Sequence, residues 1–237
     1  MKETIYTIPL TEALGEKCDC AFCYLEDKLE REQVEYTLGP AMMEPDFRDL
    51  TNEKGFCRRH TEKLAKGQKA LPFSLVLETR SISVINLLEQ AAPKTKKGLF
   101  SKEKSGSEQL RDVLKGIVST CLICERIEKT LLKFLKTFWY LYDKEADFRE
   151  KVLLGNGYCL RHFSALLETA DEVKGAKKEI YVKEIYDLEM GKLIKTKDDI
   201  QGFIKQFDYR SDKENWDVPK DAHFKCAEKL SGSFERE

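Results

Sequence analysis

The sequence has no excess of positive charge and no long apolar run. Its 41 lysines and arginines are matched by 42 aspartates and glutamates, giving a formal net charge of -1. No overall positive field is therefore present to attract nucleic acid or an anionic membrane. No run approaches the roughly 20 apolar residues of a membrane span, and the start of the chain lacks the apolar core of a signal peptide. These absences predict a cytoplasmic protein that binds neither membrane nor nucleic acid.

The sequence also lacks the short motifs that carry common enzyme chemistry. It contains no glycine-rich phosphate loop, no H-E-x-x-H pair and no nucleophile elbow. Few stretches alternate polar and apolar residues as strands do, whereas apolar residues recur at helical spacing through most of the chain. The sequence therefore predicts an all-α fold, and its motifs predict no particular reaction.

What the sequence does have is a cysteine pattern that occurs twice. A C-x-x-C is followed, after nearly the same number of positions in both cases, by a C-x-x-H. The eight residues are Cys20, Cys23, Cys57 and His60 in the first copy, and Cys121, Cys124, Cys159 and His162 in the second. Asp46-Phe47-Arg48 also recurs as Asp147-Phe148-Arg149. The pattern indicates an internal duplication.

Each copy carries a complete set of zinc ligands. Structural zinc sites fill four tetrahedral positions with cysteine sulfur and histidine nitrogen. In the first turn of a helix, the side chains of residues three apart point to the same side. The N-terminus of the helix also favours the thiolate form of cysteine. We therefore expect two structural zinc ions per chain, one per copy, at helix N-termini. The sequence leaves open whether each copy closes its own site or exchanges a half-site with the other.

Other interpretations of the cysteines are weaker. A redox C-x-x-C normally follows a strand in a βαβ unit, and iron-sulfur proteins use a clustered spacing that is absent here. In a reducing compartment, this spacing favours metal ligands over disulfides. Cys18, His223 and Cys226 could form a third site or supply an alternate ligand, but they lack a fourth group, so packing or solvation explains them better.

The copies give a domain division. Residues 1–92 form the first repeat, residues 93–108 a linker rich in lysine, serine and glycine, and residues 109–237 the second repeat with a helical extension. The apolar pattern predicts helices from Cys20 to about Tyr36, from Leu71 to about Ala92 and from Cys121 to about Tyr142. Shorter expectations are an extended piece at Ile5–Pro9, separate helices at 177–194 and 198–207, a last helix near Pro219–Ala222, and a core centred on the aromatic run 138–142.

A group of polar residues offers an alternative site. Glu44 and Asp46 are paired carboxylates near a turn, and Glu78 and Arg80 lie on an otherwise apolar helix. Together they could line a polar pocket of an enzyme. Turn formation and helix capping explain Glu44 and Asp46 more simply.

The chain resembles an uncharacterised bacterial family, a domain of unknown function with paired cysteine motifs, over almost its whole length. The resemblance implies a cytosolic protein and no transferable activity, although Glu44, Asp46 and Glu78 fall in the shared motifs. It rests on the cysteine motifs and on Ile5-Tyr6-Thr7-Ile8-Pro9, Glu35-Tyr36-Thr37-Leu38-Gly39-Pro40, Met43-Glu44-Pro45-Asp46, Gly55-Phe56-Cys57-Arg58-Arg59-His60, Leu77-Glu78-Thr79-Arg80 and Phe207-Asp208-Tyr209-Arg210.

The sequence thus favours a non-enzymatic, zinc-binding helical protein whose surface binds another protein. The alternatives are an enzyme with a pocket at Glu44, Asp46, Glu78 and Arg80, or a thiol redox protein. Nucleic-acid binding would require Arg58, Arg59, Arg161 and the linker lysines to form one basic face.

Overall fold

A computed structural model describes residues 5–93, 105–207 and 218–234. Within these ranges the chain forms eleven α-helices and two short 3-10 helices, with no strand, which confirms the all-α prediction. The α-helices are α1 Thr7–Ala13, α2 Ala21–Thr37, α3 Pro45–Lys54, α4 Arg58–Lys66, α5 Ala70–Gln90, α6 Gly106–Ser119, α7 Leu122–Lys144, α8 Ala146–Leu154, α9 Leu160–Glu168, α10 Lys177–Lys205 and α11 Ala222–Ser231; the 3-10 helices are Pro40–Met43 and Ala170–Glu172.

The chain divides into two compact units. Unit 1 consists of Met1–Lys28 and Lys129–Glu237, and unit 2 is the continuous piece Leu29–Glu128. Helix α2 begins in unit 1 and continues into unit 2, and α7 does the reverse. These units do not follow the repeat boundaries at 92 and 109, so the repeats stay a prediction about duplication. Residues 94–104 of the predicted linker lie outside the described residues.

The core of unit 1 is built around the aromatic part of α7. Phe138, Trp139 and Tyr142 are buried, whereas Tyr140 on the opposite side of the helix is exposed. The indole Nε1 of Trp139 donates a hydrogen bond of 2.9 Å to the carbonyl of Leu166 on α9. This is the arrangement that buried tryptophan requires. The prediction that the aromatic run 138–142 lies in the core is confirmed for every residue except Tyr140.

Unit 2 has its own apolar core. Leu38 and Leu64 pack with Ile123 and Ile127 from the first turns of α7, and Phe73 of α5 packs against this cluster. Helix α5 also lies against α3, where Ser83 and Arg80 donate hydrogen bonds to the carbonyl of Asn52. One side of α5 is thus packed against the rest of unit 2.

Two local expectations were wrong. The expected extended piece at Ile5–Pro9 is the start of α1, which begins at Thr7. Pro9 is tolerated because it lies in the first helical turn, where its missing N–H leaves no bond unmade. The two helices expected at 177–194 and 198–207 are the single helix α10. No glycine or proline interrupts the chain between them, so the helix continues.

Helix α5 also corrects the expectation that no segment reaches the length of a membrane span. Over an 18-residue window its mean hydropathy is 1.3, and only 6% of that window is buried. Glu78 and Arg80 interrupt the apolar run together with serines and a threonine, but two charged residues in the window still leave its mean hydropathy positive. By length and composition alone, α5 is long and apolar enough to cross a membrane, and no other helix in the described ranges is.

Candidate metal centres

All eight predicted ligands lie at helix starts. Cys20 directly precedes α2 and Cys23 lies in its first turn, and Cys121 and Cys124 stand in the same way at α7. The C-x-x-H cysteines are N-cap residues, Cys57 of α4 and Cys159 of α9, so each histidine falls in a first turn. Each half-site therefore points both of its side chains to one side of a helix end.

The structure joins the half-sites across the copies. One cluster consists of Cys20, Cys23, Cys159 and His162, and the other of Cys57, His60, Cys121 and Cys124. We call them cluster 1, in unit 1, and cluster 2, in unit 2. The expectation of one site within each copy is corrected: each C-x-x-C closes on the C-x-x-H of the other copy. All four ligand atoms of each cluster lie within 4.8 Å of one another.

The distances within the clusters fit a tetrahedral zinc ion. Bond lengths of about 2.3 Å to sulfur and 2.0 Å to nitrogen place sulfurs about 3.8 Å apart and sulfur about 3.5 Å from nitrogen. In cluster 1 the three sulfurs lie 3.3 to 3.5 Å from Nδ1 of His162, and Cys23 lies 3.6 Å from Cys159. In cluster 2 the corresponding distances are 3.2 to 3.3 Å to His60 and 3.8 Å between Cys57 and Cys124.

Hydrogen bonds outside the ligands hold the exchanged half-sites together. In unit 2, the backbone N–H of Leu122 donates to the carbonyl of Gly55 at 3.0 Å, and Thr120 Oγ1 donates to the carbonyl of Lys54 at 2.7 Å. In unit 1, Asn156 Nδ2 donates to the carbonyl of Cys18 at 3.0 Å. The protein itself therefore brings each pair of half-sites together.

A glycine with positive φ precedes each C-x-x-H. Gly55 has φ 62° and Gly157 has φ 75°, a conformation that side chains other than glycine rarely adopt. A Cβ on Gly55 would lie 2.8 Å from Arg80 Nε, and one on Gly157 would lie 2.5 Å from Glu189 Oε1. Each turn into a C-x-x-H thus has a charged side chain packed directly against its glycine.

Glu189 and Lys229 form a buried pair behind the Gly157 turn. Glu189 accepts a hydrogen bond of 2.5 Å from the backbone N–H of Tyr158 and one of 2.7 Å from Lys229 Nζ. Both side chains are buried. Burial raises the pKa of Glu189, with the pair to Lys229 acting against it. The pair anchors the residue that precedes Cys159.

A buried carboxylate also contacts the histidine of cluster 2. Glu30 Oε1 lies 2.9 Å from His60 Nε2, and Oε2 pairs with Arg59 at 2.8 Å and with Lys63 at 2.9 Å. Burial alone would raise the pKa of Glu30, but the bonds from His60, Lys63 and Arg59 outweigh it and lower the pKa to about 2. With Nε2 facing a carboxylate, Nδ1 is left for a metal.

Cluster 1 has a corresponding carboxylate. Glu26 Oε2 lies 3.5 Å from His162 Nε2, and Arg161 forms a two-pronged pair with Glu26. Glu26 and Glu30 both lie on α2, four positions apart. The sequence interpretation missed both residues. The available signal was an arginine directly before each histidine, Arg59 and Arg161.

The electrostatics of each cluster favour the thiolate at one cysteine and disfavour it at another, since burial and the neighbouring cysteines raise the pKa of Cys20 and of Cys124. Hydrogen bonds from Cys20 and Cys23 lower the pKa of Cys159 to about 3. Burial would raise the pKa of Cys121, but the hydrogen bond with His60 and backbone N–H groups lower it to about 6. Thiolates are the form in which cysteine binds metal. Each cluster therefore offers negative sulfur to a cation.

The C-terminal part of unit 1 caps cluster 1. The backbone N–H of Ser233 donates to Cys23 Sγ at 3.3 Å, and its hydroxyl donates to Asp27 at 2.9 Å. Beside this contact lies a cavity of about 500 Å³ into which Cys20, Cys23 and Cys159 also face. A Cys₃His group fills all four tetrahedral positions of a metal ion, so the cavity would offer no position for a substrate on such an ion.

The three other candidate ligands do not join a cluster. Cys18 Sγ contacts the carbonyl of Ala13 at 3.8 Å. His223 is exposed and its ring lies 5.0 Å from that of Phe203. Cys226 is partly exposed and belongs to neither ligand group found among the described residues. The interpretation of these residues as packed or solvated is the one that fits their positions.

The polar residues of the alternative site are used elsewhere. Arg80 donates to the carbonyls of Asn52 and Glu53 at the end of α3. Glu44 accepts a hydrogen bond of 3.0 Å from Tyr36. Asp46 and Glu78 are exposed. Arg80 therefore serves the Gly55 turn, and it does not line a pocket with Glu44, Asp46 and Glu78.

The fold and the clusters define an all-α protein with two Cys₃His ligand groups. The chain belongs to the family of unknown function DUF6062, whose model matches residues 1–237. Comparison with curated proteins gave no match, and comparison with solved structures gave none either.

Proposed function

We propose that the chain is a cytoplasmic, structural two-zinc protein that acts as a protein-interaction module. The observation that carries the metal assignment is the pair of closed Cys₃His groups with tetrahedral spacing. Three thiolates and one imidazole suit zinc better than metals that prefer oxygen ligands. Eight free thiols are also consistent with a reducing compartment.

The metals would act by holding together parts of the chain that are far apart in sequence. Each cluster joins the starts of two helices, α2 with α9 in unit 1 and α7 with α4 in unit 2. Structural zinc contributes on the order of 10 to 16 kcal/mol in small finger peptides, which is comparable with the stability of a whole domain. Removing the metal should therefore loosen each unit.

The first test is metal content, measured by elemental analysis of protein purified without chelator, with helicity measured before and after a strong chelator. We expect about two zinc ions per chain and a loss of helicity on removal. Little metal together with freely titrating thiols would contradict the proposal and support a thiol redox protein instead.

A second test uses pairs of cysteine substitutions. Cys20→Ser and Cys159→Ser should each leave about one zinc per chain, and so should the two combined, because all three variants damage one cluster. Cys20→Ser combined with Cys57→Ser should leave almost none. Sites closed within each copy would give the reverse pattern. Cys18→Ser and Cys226→Ser are matched controls that should keep both ions.

We also propose that the two halves arose by duplication. The supporting features are the paired positive-φ glycines Gly55 and Gly157 and the equivalent helices on either side of them. The aspartates Asp46 and Asp147 occupy the first turns of α3 and α8, respectively. A bacterial origin, implied by the resemblance, remains a prediction.

A further inference from the structure

Helix α5 exposes large apolar side chains along most of its length. These are Leu71, Leu77, Ile82 and Ile85, and we call them the α5 face; Ile82 is 54% exposed and Ile85 53%. The other side of the helix is the one that packs in unit 2, through buried Val76 and through Arg80 and Ser83. The α5 face therefore has no cover within the described part of unit 2.

Such a face is unusual for a surface helix. Isolated exposed leucines are normal on soluble proteins, but several on one side of a helix mark an interaction surface, here with the exposed Glu78 among them. The 18-residue window of α5 holds at most two charged residues. Helix α6, which contacts α5, exposes Leu114 and Val118, four positions apart and thus on one side of α6.

We propose that the α5 face is a homodimer interface on which α5 of a second copy packs antiparallel. The inference rests on the interaction part of the proposed function and does not depend on the metals. A helix with one apolar side is self-complementary, because a two-fold axis perpendicular to it places the same residues on both partners. Antiparallel packing also sets the two helix dipoles in a favourable orientation.

The charges at the ends of α5 select this direction. Lys69 precedes the first residue of α5 and Glu89 lies in its last turn; both are exposed, and neither forms an ion pair within the described residues. In an antiparallel pair, each Lys69 approaches Glu89 of the other copy. A parallel pair would bring Lys69 to Lys69 and Glu89 to Glu89, which is repulsive.

The exposed area is close to what a dimer requires. The six exposed apolar residues, Leu71, Leu77, Ile82 and Ile85 of α5 with Leu114 and Val118 of α6, are each about half exposed and supply on the order of 400 Å² of apolar area per chain. Since homodimer interfaces are about 65% apolar, two such faces correspond to roughly 1,200 Å² in total, the lower limit for specific interfaces. A second copy is therefore a sufficient partner.

The experiment is sedimentation equilibrium of the full-length, metal-loaded chain. The wild type should sediment at twice its chain mass of 27.5 kDa. Ile82→Glu combined with Ile85→Glu should sediment as a monomer with unchanged helicity, because both side chains are already exposed. Ile180→Glu is the matched control, since Ile180 is 55% exposed on α10, and it should remain dimeric.

Charge reversal tests the direction of packing. Lys69→Glu alone and Glu89→Lys alone should each weaken the dimer up to about tenfold, since each places like charges together at both ends. The double variant should recover nearly all of the affinity. Single variants with unchanged affinity, or a double variant no better than the singles, would overturn the antiparallel arrangement.

Two further outcomes would overturn the proposal. One is a wild-type monomer at every concentration up to about 100 µM, well above the range of micromolar dimers. The other is a monomer that floats with vesicles of phosphatidylcholine and phosphatidylglycerol, which would make a membrane the partner of α5. Zinc content measured on the same samples keeps the questions apart: a monomer with both ions contradicts the dimer alone, and a dimer without zinc contradicts the metal assignment alone.

Discussion

The sulfurs of Cys23 and Cys159 lie 3.6 Å apart, although 136 positions separate the residues in the chain. Cys57 and Cys124 stand in the same relation in the other cluster, 3.8 Å apart and 67 positions distant. Neither half of the chain contains a complete ligand set in the arrangement that the structure shows. The two halves therefore depend on each other for both ligand groups.

Glu30 should strengthen metal binding without touching the metal. Glu30→Gln removes the charge that faces His60 Nε2, and we expect the zinc affinity of cluster 2 to fall by about 10- to 100-fold. Competition with a chromophoric chelator measures this loss. Glu32→Gln, an exposed neighbour on α2, is the control. Equal losses in both variants would show that the effect is one of net charge only.

Gly157 should tolerate no side chain. Gly157→Ala adds a Cβ at positive φ and within 2.5 Å of Glu189 Oε1. We expect the backbone strain to lower the free energy of unfolding by about 1 to 3 kcal/mol and the close contact to lower it further. Gly175→Ala is a matched control because Gly175 has φ 73° with no atom within 4 Å of an added Cβ. It should show the backbone cost alone in urea denaturation. Similar losses at both positions would mean that contact with Glu189 is unimportant.

Lys229 should be required because Glu189 is buried. Lys229→Met leaves an uncompensated carboxylate, and we expect a loss of about 3 to 5 kcal/mol of stability. Lys225→Met is the control, since Lys225 pairs with Asp221 near the surface and should cost at most about 1 kcal/mol. Replacing both members of the buried pair, as Glu189→Leu with Lys229→Met, should recover part of the loss. Denaturation in zinc-saturated buffer measures all three, and an additive double variant would contradict the coupling.

The N–H of Ser233 should stabilise the thiolate of Cys23. Ser233→Pro removes this donor, and a hydrogen bond to a charged acceptor contributes about 1.5 to 3 kcal/mol, so zinc affinity at cluster 1 should fall tenfold or more. Ser233→Ala keeps the N–H and loses only the hydroxyl bond to Asp27. Chelator competition should therefore separate the two variants. If they bind zinc equally, the backbone donor has no role.

The sequence predicted the helix starts at the eight cysteine and histidine residues well because these depend on local spacing. The C-x-x-C and C-x-x-H pairs are readable at helix period, and Gly55 and Gly157 mark the turns before them. The sequence did not show which C-x-x-C pairs with which C-x-x-H. The order of the half-sites along the chain, with Cys57 after Cys23, is the same for both possible pairings. Only tertiary contacts such as Leu122 N–H to the Gly55 carbonyl decide it.

Residues that support the clusters were harder to find. Glu26 and Glu30 lie on a helix with several other acidic residues, and nothing local distinguishes them. Glu189 and Lys229 are 40 positions apart and become a pair only when α10 and α11 pack together. Their roles depend on burial, which charge pattern alone does not reveal. The polar group at Glu44 and Arg80 failed for the same reason: Arg80 bonds to backbone carbonyls that no motif marks.

The ligand sets are nested along the chain. All four residues of cluster 2 fall between Cys23 and Cys159 in the sequence, and unit 2 is one uninterrupted stretch of sequence that lies between the two stretches of unit 1. During synthesis, the inner set is complete once Cys124 has emerged, whereas the outer set must wait for His162. The shorter loop also costs less entropy to close. Assembly should therefore proceed from the inside outward, and a nascent chain that stops before Cys159 would hold one metal ion while leaving Cys20 and Cys23 without their partners.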